Sequence, residues 1–282
     1  MSFTTRFAPS PTGYLHLGHA FSALTAFEAA RAAGGRLLLR IEDIDSGRCR
    51  PEYEAAILED LAWLGMAWEP PLLRQSQRLA RYRAALEALI ARGLVYRCFK
   101  TRKALLAEIA SAPHGPAPVY VGAPLPAAEE EKRLAAGEDH AWRLSLAACR
   151  ESLGAAYAQL SFFEEGQGPA GEHGRIRAEP ERLGDVVIAR KDAGVSYHLA
   201  SCLDDAECGI TQVIRGEDLH EAAHLHRLLQ ALFGWPEPRY RSHRLILGAD
   251  GKRLAKRDQA ATLQSLRAAG ATAADVRARL GL

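Results

Sequence analysis

Apolar and polar positions change period several times along this chain. Phe3, Thr5 and Phe7 alternate with Thr4 and Arg6, a short strand pattern that Pro9 and Pro11 end. From Leu17 to Ala33 the apolar residues Phe21, Leu24 and Phe27 fall at helical spacing, and Gly34-Gly35 stops the helix. RLLLRIEDID follows, an apolar run ending in carboxylates, as in a buried parallel strand with functional groups at its C-terminal end. The first 45 residues therefore read as a β-α-β unit. Pro51 opens a helix with Ile57, Leu61 and Leu64 on one face. Ser76 is expected to cap another, carrying Leu79, Tyr82, Leu86 and Leu89 and ending at Gly93.

Residues 111–126, SAPHGPAPVYVGAPLP, predict a proline-rich loop, and EEEKRL after it a solvated helix. HAWRLSL alternates as a strand, and GQGPAGEHG at 166–174 predicts a loop. Strand signals return in DVVIAR, then in ITQVIRG after a turn at Asp192-Ala193-Gly194. Leu219 to Phe233 is helical, with Leu225, Leu228, Leu229 and Leu232 on its apolar side. A strand opening at His243 and covering RLILG, a hairpin at Asp250-Gly251 and two short helices complete the chain. Composition shifts near 94 and 184, which predicts an α/β domain interrupted by an insertion.

A chain of 282 residues, 48% hydrophobic and 25% charged, can bury a sizeable core. The net charge of +2 does not announce a polyanion partner, so a nucleic-acid surface would be a local patch. Only six lysines stand among 36 basic residues, which singles out each lysine more than each arginine. Cys49, Cys98, Cys149, Cys202 and Cys208 are odd in number and form no CxxC pair, which fits a reducing compartment. Neither a signal-peptide h-region nor a membrane-length apolar run is present, so the expectation is a cytoplasmic protein without membrane attachment.

Candidate chemistry concentrates at two places. PSPTGYLHLGH, residues 9–19, ends a strand abruptly and sets His16, Gly18 and His19 at the start of a helix. Unpaired N–H groups and two imidazoles at i and i+3 on one face would make a phosphate site. The alternative is two polar histidines on a helix end. GADGKRLAKRD, residues 248–258, crowds Lys252, Arg253, Lys256 and Arg257 around a turn, with a solvated basic turn as its alternative.

Together the two stretches resemble the HIGH and KMSKS signatures of class I aminoacyl-tRNA synthetases. APSPTGYLHLGH, LRIEDID, SYHLA and VIRGEDL resemble the glutamyl-tRNA synthetase branch, across most of residues 3–258. The resemblance implies a Rossmann-like class I catalytic domain (1–93 and 184–240), an α+β insertion resembling an acceptor-binding subdomain (94–183), and a C-terminal segment (241–282) bearing the KMSKS-like loop. It implies an enzyme that joins L-glutamate to ATP as an adenylate, with Mg²⁺ entering on the nucleotide. His16 and His19 would stabilise the phosphates, Gly18 would let ATP approach the backbone, and Lys256 would neutralise the leaving pyrophosphate. Arg253 stands where the first lysine of that motif usually is, and Ala255 replaces its serine. Arg6, Phe7, Ala8, Pro9 and Ser10 would contact glutamate, Glu42 would hold its ammonium group, and Tyr197 and Arg215 would close on its carboxylate. An anion for the ammonium and forked guanidinium donors for carboxylates are also what a dicarboxylic amino acid requires chemically. A structural ion pair is the alternative for Glu42 and Arg215.

The chain continues only to Leu282, too short after Arg257 for an anticodon-binding domain. That plan resembles the glutamyl-queuosine tRNA(Asp) synthetases, which implies tRNA(Asp) containing queuosine as partner, with a monomer expected. A truncated charger of tRNA(Glu) and a non-catalytic paralogue binding glutamate or RNA are the alternatives. Relatives carry a zinc site of the form C-x-C then Y-x₃-C. Here Cys98 and Tyr120 remain, while Lys100 and Pro124 occupy the other two positions, so no zinc is expected. His220-Glu221-Ala222-Ala223-His224 fits the H-E-x-x-H pattern of zinc proteases. No clear third ligand follows, and a polar helix start capped by Asp218 is the expectation.

Overall fold

The computed structural model describes residues 2–101, 119–190, 194–248 and 261–282. The proposed roles of Lys252, Arg253, Ala255, Lys256 and Arg257, the hairpin at 250–251, the first half of the proline-rich loop and most of the turn at 192–194 fall outside the described residues.

Strands β1 (Thr4–Phe7), β2 (Arg36–Ile41) and β3 (Glu69–Arg74) form a parallel sheet in that order. Parallel neighbours need crossovers, supplied by α1 (Leu17–Ala32) and α2 (Pro51–Trp63). All four residues of β1 are buried, so its apparent alternation reflects cover on both faces. Ile57 and Leu61 of α2 are fully buried, each contributing about 1.5–3 kcal/mol against exposure. Helix α3 (Leu79–Ala91) follows β3 through a single 3₁₀ turn. Ser76 does not cap it: its N–H and Oγ donate to Asp43 at 2.8 and 2.6 Å, tying the turn to the loop after β2.

Beyond α3 the chain builds β4 (Val95–Cys98), α4 (Ala127–Ala135), β5 (Ala141–Leu144), α5 (Leu146–Leu153) and α6 (Ala155–Ala158). Then come β6 (Ser161–Glu164), β7 (Gly174–Arg177), β8 (Val187–Arg190) and β9 (Gly194–Val195). Helix α7 (Tyr197–Glu207), β10 (Gln212–Gly216), α8 (Ala222–Phe233), β11 (Arg239–His243), α9 (Leu263–Ala268) and α10 (Ala273–Leu280) complete it. The strand expected to open at His243 instead ends there, because Arg239–His243 pairs in parallel with β10.

The sheets cut across the expected seams at 94 and 184. β4, β5, β8 and β9 form an antiparallel sheet, whereas β6 and β7 join β10 and β11. A side chain at Gly166 would lie 2.2 Å from the Ser242 carbonyl, so glycine is what lets the end of β6 close on β11. The Thr211 N–H donates to the Thr4 carbonyl and the Thr4 N–H to Thr211 Oγ1, both at 2.9 Å. These bonds set β1 beside β10. In an open α/β sheet the crevice beyond the carboxyl ends of such strands is where ligands sit.

Candidate active site

The helix start at His16 is a closed hydrogen-bonded device. His16 Nδ1 accepts from the Gly18 N–H at 3.1 Å, and His19 Nδ1 accepts from the His16 N–H at 3.2 Å. Both bonds satisfy donors that a helix N-terminus leaves unpaired, in the manner of a capping box. They also set the tautomer: with Nδ1 accepting, each neutral ring carries its proton on Nε2. The rings lie 3.8 Å apart between centroids. A side chain at Gly18 would meet the His16 ring at 3.0 Å, so this glycine makes room for the cap.

The two histidines open onto a cleft of about 420 Å³. Arg6, Phe7, Ala8, Pro9, Ser10, Gly18, Glu42, Tyr197 and Arg215 line it as well, so every described residue expected in the site is gathered there. Thr12, Ser22, Asp218 and residues 243–246 line it too, and the motif reading had not included them. Their signal was weak, since a loop's approach to a sheet end leaves no periodicity.

Beneath the cleft lies a buried charge cluster. Arg6 Nε donates to Asp205 at 3.1 Å, and Arg40 Nη1 to the same carboxylate at 2.5 Å. Arg40 Nη2 reaches Glu42 and Ser201 Oγ, each at 3.1 Å. Asp204, one residue along α7, faces the other way and accepts from Gln75, Arg78 and Tyr82. Burial pushes the Asp205 carboxyl up, but Arg6 and Arg40 outweigh it and hold the group below its ordinary value. For Glu42 burial wins over Arg40 and Arg6, and its carboxyl sits above the usual range. Glu42 is thus both a partner of Arg40 and a wall of the cleft.

Arg215 differs. It is 4% exposed, and none of its three guanidinium nitrogens has a hydrogen-bond partner among the described residues. Its guanidinium lies over the Tyr240 ring, 4.9 Å from the centroid. Behind it, His198 Nδ1 and His226 Nε2 are 3.2 Å apart. Burial and the Arg215 charge push His198 down to about 4, and the same causes hold His226 well below its ordinary value. Held neutral in this way, the two rings add no further positive charge beside Arg215.

Thr262 forms a β-bridge with His16, and the Leu263 N–H donates to the Leu15 carbonyl at 2.8 Å. Described residues on both sides of 249–260 therefore stand at the cleft.

The H-E-x-x-H groups are engaged elsewhere. His220 Nδ1 lies 3.3 Å from both Glu164 Oε2 and Ser242 Oγ, Glu221 pairs with Arg182, and His224 Nδ1 accepts from the Glu179 N–H. The helix starts after Glu221 without a side-chain cap, so Asp218 does not cap it. Among the described residues no cluster of three or more His, Cys, Asp or Glu could hold a metal. At the zinc-like positions the Lys100 ammonium lies 5.2 Å from the Tyr120 ring centroid, and the Arg143 guanidinium 4.5 Å from it. Tyr120 and Cys98 are hydrogen-bonded to each other there, and a lysine stands where the pattern has its second thiolate. None of the five cysteines forms a disulfide. No helix among the described residues is long and apolar enough to cross a membrane.

Known proteins resemble this chain along nearly its whole length. The family described as tRNA synthetases class I (E and Q), catalytic domain, matches residues 2–275. A glutamyl-Q tRNA(Asp) synthetase of Rhodobacter capsulatus is 50% identical over 99% of both chains. One from Nocardia farcinica is 41% identical over 98% of this chain and 82% of its own. Among solved structures, a glutamate tRNA ligase from Elizabethkingia meningosepticum, in complex with its amino acid, matches with a TM-score of 0.72 and 31% identity. That match covers 92% of this chain and 52% of the ligase, so this chain spans about half of it. The chain belongs to the class I (E and Q) tRNA synthetases, among the glutamyl-Q tRNA(Asp) synthetases.

Proposed function

We propose that this protein activates L-glutamate with ATP and transfers it to the queuosine base in the anticodon loop of tRNA(Asp). The observation that carries the glutamate half is Arg215: a buried guanidinium with no hydrogen-bond partner among the described residues, facing a cleft whose other wall is Glu42. A buried unpaired cation costs several kcal/mol, by order of magnitude, unless an anion arrives. A ligand bearing a carboxylate for Arg215 and an ammonium for Glu42 supplies both counter-charges. Arg6, held by Asp205, lies along the same cleft and adds positive potential for the second carboxylate.

In the first step a glutamate α-carboxylate oxygen attacks the α-phosphorus of ATP, and the bond to pyrophosphate breaks. Nε2–H of His16 and His19 donates to the phosphate oxygens as charge builds, from rings already fixed by the cap. Lys256 and Arg253 match residues that receive the leaving pyrophosphate. Mg²⁺ belongs to the nucleotide substrate. In the second step a hydroxyl of the acceptor attacks the glutamyl carbonyl and AMP leaves. An anticodon loop with an unstacked base is a shape that a catalytic cleft can take directly.

Glutamate-dependent ATP–pyrophosphate exchange without tRNA is the test. Exchange with glutamate, and not with glutamine or aspartate, supports the reading. No exchange with any amino acid refutes tRNA-independent activation and leaves either an enzyme that needs RNA to assemble its site or a non-catalytic paralogue. Transfer assayed on tRNA(Asp) with and without queuosine, and on tRNA(Glu), separates the proposed acceptor from a truncated charger. Lys256→Ala should slow exchange by about 100-fold with little change in glutamate KM, on the scale of one lost charge-stabilising group.

A further inference from the structure

Glu164, at the end of β6, is a fully buried carboxylate in the stretch expected to be an insertion, and the adenylation chemistry does not use it. A buried carboxylate persists only where donors replace its water. The Ser242 N–H and the Gly166 N–H donate to Glu164 Oε1 at 2.7 and 2.8 Å, and the Ser242 hydroxyl donates to Oε2 at 2.8 Å. His220 Nδ1 stands 3.3 Å from both Oε2 and Ser242 Oγ. The one hydroxyl proton of Ser242 already points at Glu164, so Nδ1 is a donor here too. Burial pushes the Glu164 carboxyl up, but these donors outweigh it and hold the group below its ordinary value. Its hydrogen bonds are therefore of the charge-assisted kind.

The donors belong to the walls of the catalytic cleft. Ser242 precedes His243, Arg244, Leu245 and Ile246, which line it, and His220 follows Asp218 and Leu219, which line it as well. The Leu245 N–H donates to Glu217 Oε1 at 3.3 Å and joins the two segments. Together they stand beside the helix that His16 opens. The His243 ring meets Phe21 of α1 edge to face, 5.1 Å between centroids, and the Arg244 guanidinium lies 4.7 Å from the centroid of the same ring. Glu42 and Tyr197 enter the cleft from other elements, after β2 and at the start of α7.

Backbone pairing does not make this join. β6 and β11 are in register at one residue pair, Tyr240 with Glu164. Past Tyr240 the Glu164 side chain takes the Ser242 N–H that a longer ladder would have taken.

We infer that Glu164 is a positioning residue for the nucleotide side of the cleft: it holds residues 218–219 and 243–246 beside α1, where ATP would meet His16 and His19. The inference rests on the reading of this cleft as a site for ATP and glutamate.

The test measures binding of ATP with Mg²⁺, and separately of glutamate, to the full chain by titration calorimetry, with glutamate-dependent pyrophosphate exchange alongside. Glu164→Gln keeps the size of the side chain and removes its charge. It should weaken ATP binding about tenfold, the scale of one lost charge-assisted hydrogen bond, and leave glutamate affinity within about twofold. Ser242→Ala removes one donor and keeps the carboxylate, and should weaken ATP about fivefold in the same selective way. A residue that only stabilises the fold would lower the unfolding midpoint and leave both affinities of the folded protein unchanged. That result overturns the inference. Equal weakening of ATP and glutamate overturns it too, because the whole cleft has then loosened. If Glu164→Gln does not fold, Ser242→Ala decides, and ATP affinity within about twofold of the unaltered protein overturns the inference, since a hydrogen bond of this kind is worth more than that. If the unaltered protein binds ATP and glutamate but shows no exchange, the activation reading fails and the affinities of the variants still decide the role of Glu164. If the unaltered protein does not bind ATP, both fall.

Discussion

Two buried arginines at the ends of neighbouring strands, Arg6 on β1 and Arg215 on β10, face one cleft and are treated in opposite ways. Arg6 shares Asp205 with Arg40, and its charge is answered within the fold. Arg215 is equally buried, yet it lies over the face of Tyr240 and has no hydrogen-bond partner among the described residues. The difference separates structure from function. A paired buried charge holds elements together and gives little net stability, while an unpaired one is a standing cost that a ligand relieves.

The largest effect should come from breaking the paired side. Asp205→Asn leaves Arg6 and Arg40 facing each other without their shared anion and should destabilise the protein by about 3–5 kcal/mol, read by urea unfolding. A loss under 1 kcal/mol would mean that water or Glu42 replaces it. The unpaired side should respond with the opposite sign. Arg215→Met should raise stability by about 1–4 kcal/mol and raise glutamate KM by about 100-fold or more. Loss of both stability and binding would show that Arg215 is a structural residue.

A smaller effect concerns the imidazoles behind Arg215. An imidazole held at about 4 in the folded chain, against about 6.5 unfolded, stabilises the fold fully above 6.5. That contribution is lost as pH falls toward 4, because the unfolded state takes up the proton first. Asp205 adds to acid lability at lower pH, since its depressed carboxyl loses its contribution as it protonates. Stability should therefore fall below pH 6.5 with a slope of up to about 1.4 kcal/mol per pH unit for each such histidine. His198→Gln should flatten the slope between pH 6.5 and 4. An unchanged slope would show that His198 is not held neutral by burial. The smallest effect should be at the exposed Arg36–Glu69 pair joining β2 to β3, where Arg36→Ala should leave the unfolding midpoint unchanged.

The site was legible in the sequence where chemistry and local geometry coincide. His16, Gly18 and His19 follow a proline-terminated strand and open a helix, and Arg6, Glu42 and Arg215 end or border apolar runs. The structure gathers all of them around one cleft. The partners that hold them were not legible. Asp204 and Asp205 sit side by side in LDDAE with no motif to mark them, and both carboxylates are buried in α7. Arg40, inside the apolar run RLLLRI, is the hub of the cluster, and nothing in its neighbours along the chain marks it as such. SFFE and GRIR were too short to declare themselves as strands, and only pairing with β11 makes them part of the second sheet.

The sequence by itself determined the local elements: where prolines and glycines stop them, which residues begin the first helix, and which charged groups lie at strand ends. Those features depend on backbone geometry and on neighbours within a few residues. Tertiary structure alone decided which charges are answered and which is left open. Asp205 reaches Arg6 across 199 positions of the chain, and no spacing encodes that approach. Whether a buried guanidinium is a strut or a binding site depends on the counter-charge that packing brings to it, and among the described residues packing brings one to Arg6 and none to Arg215.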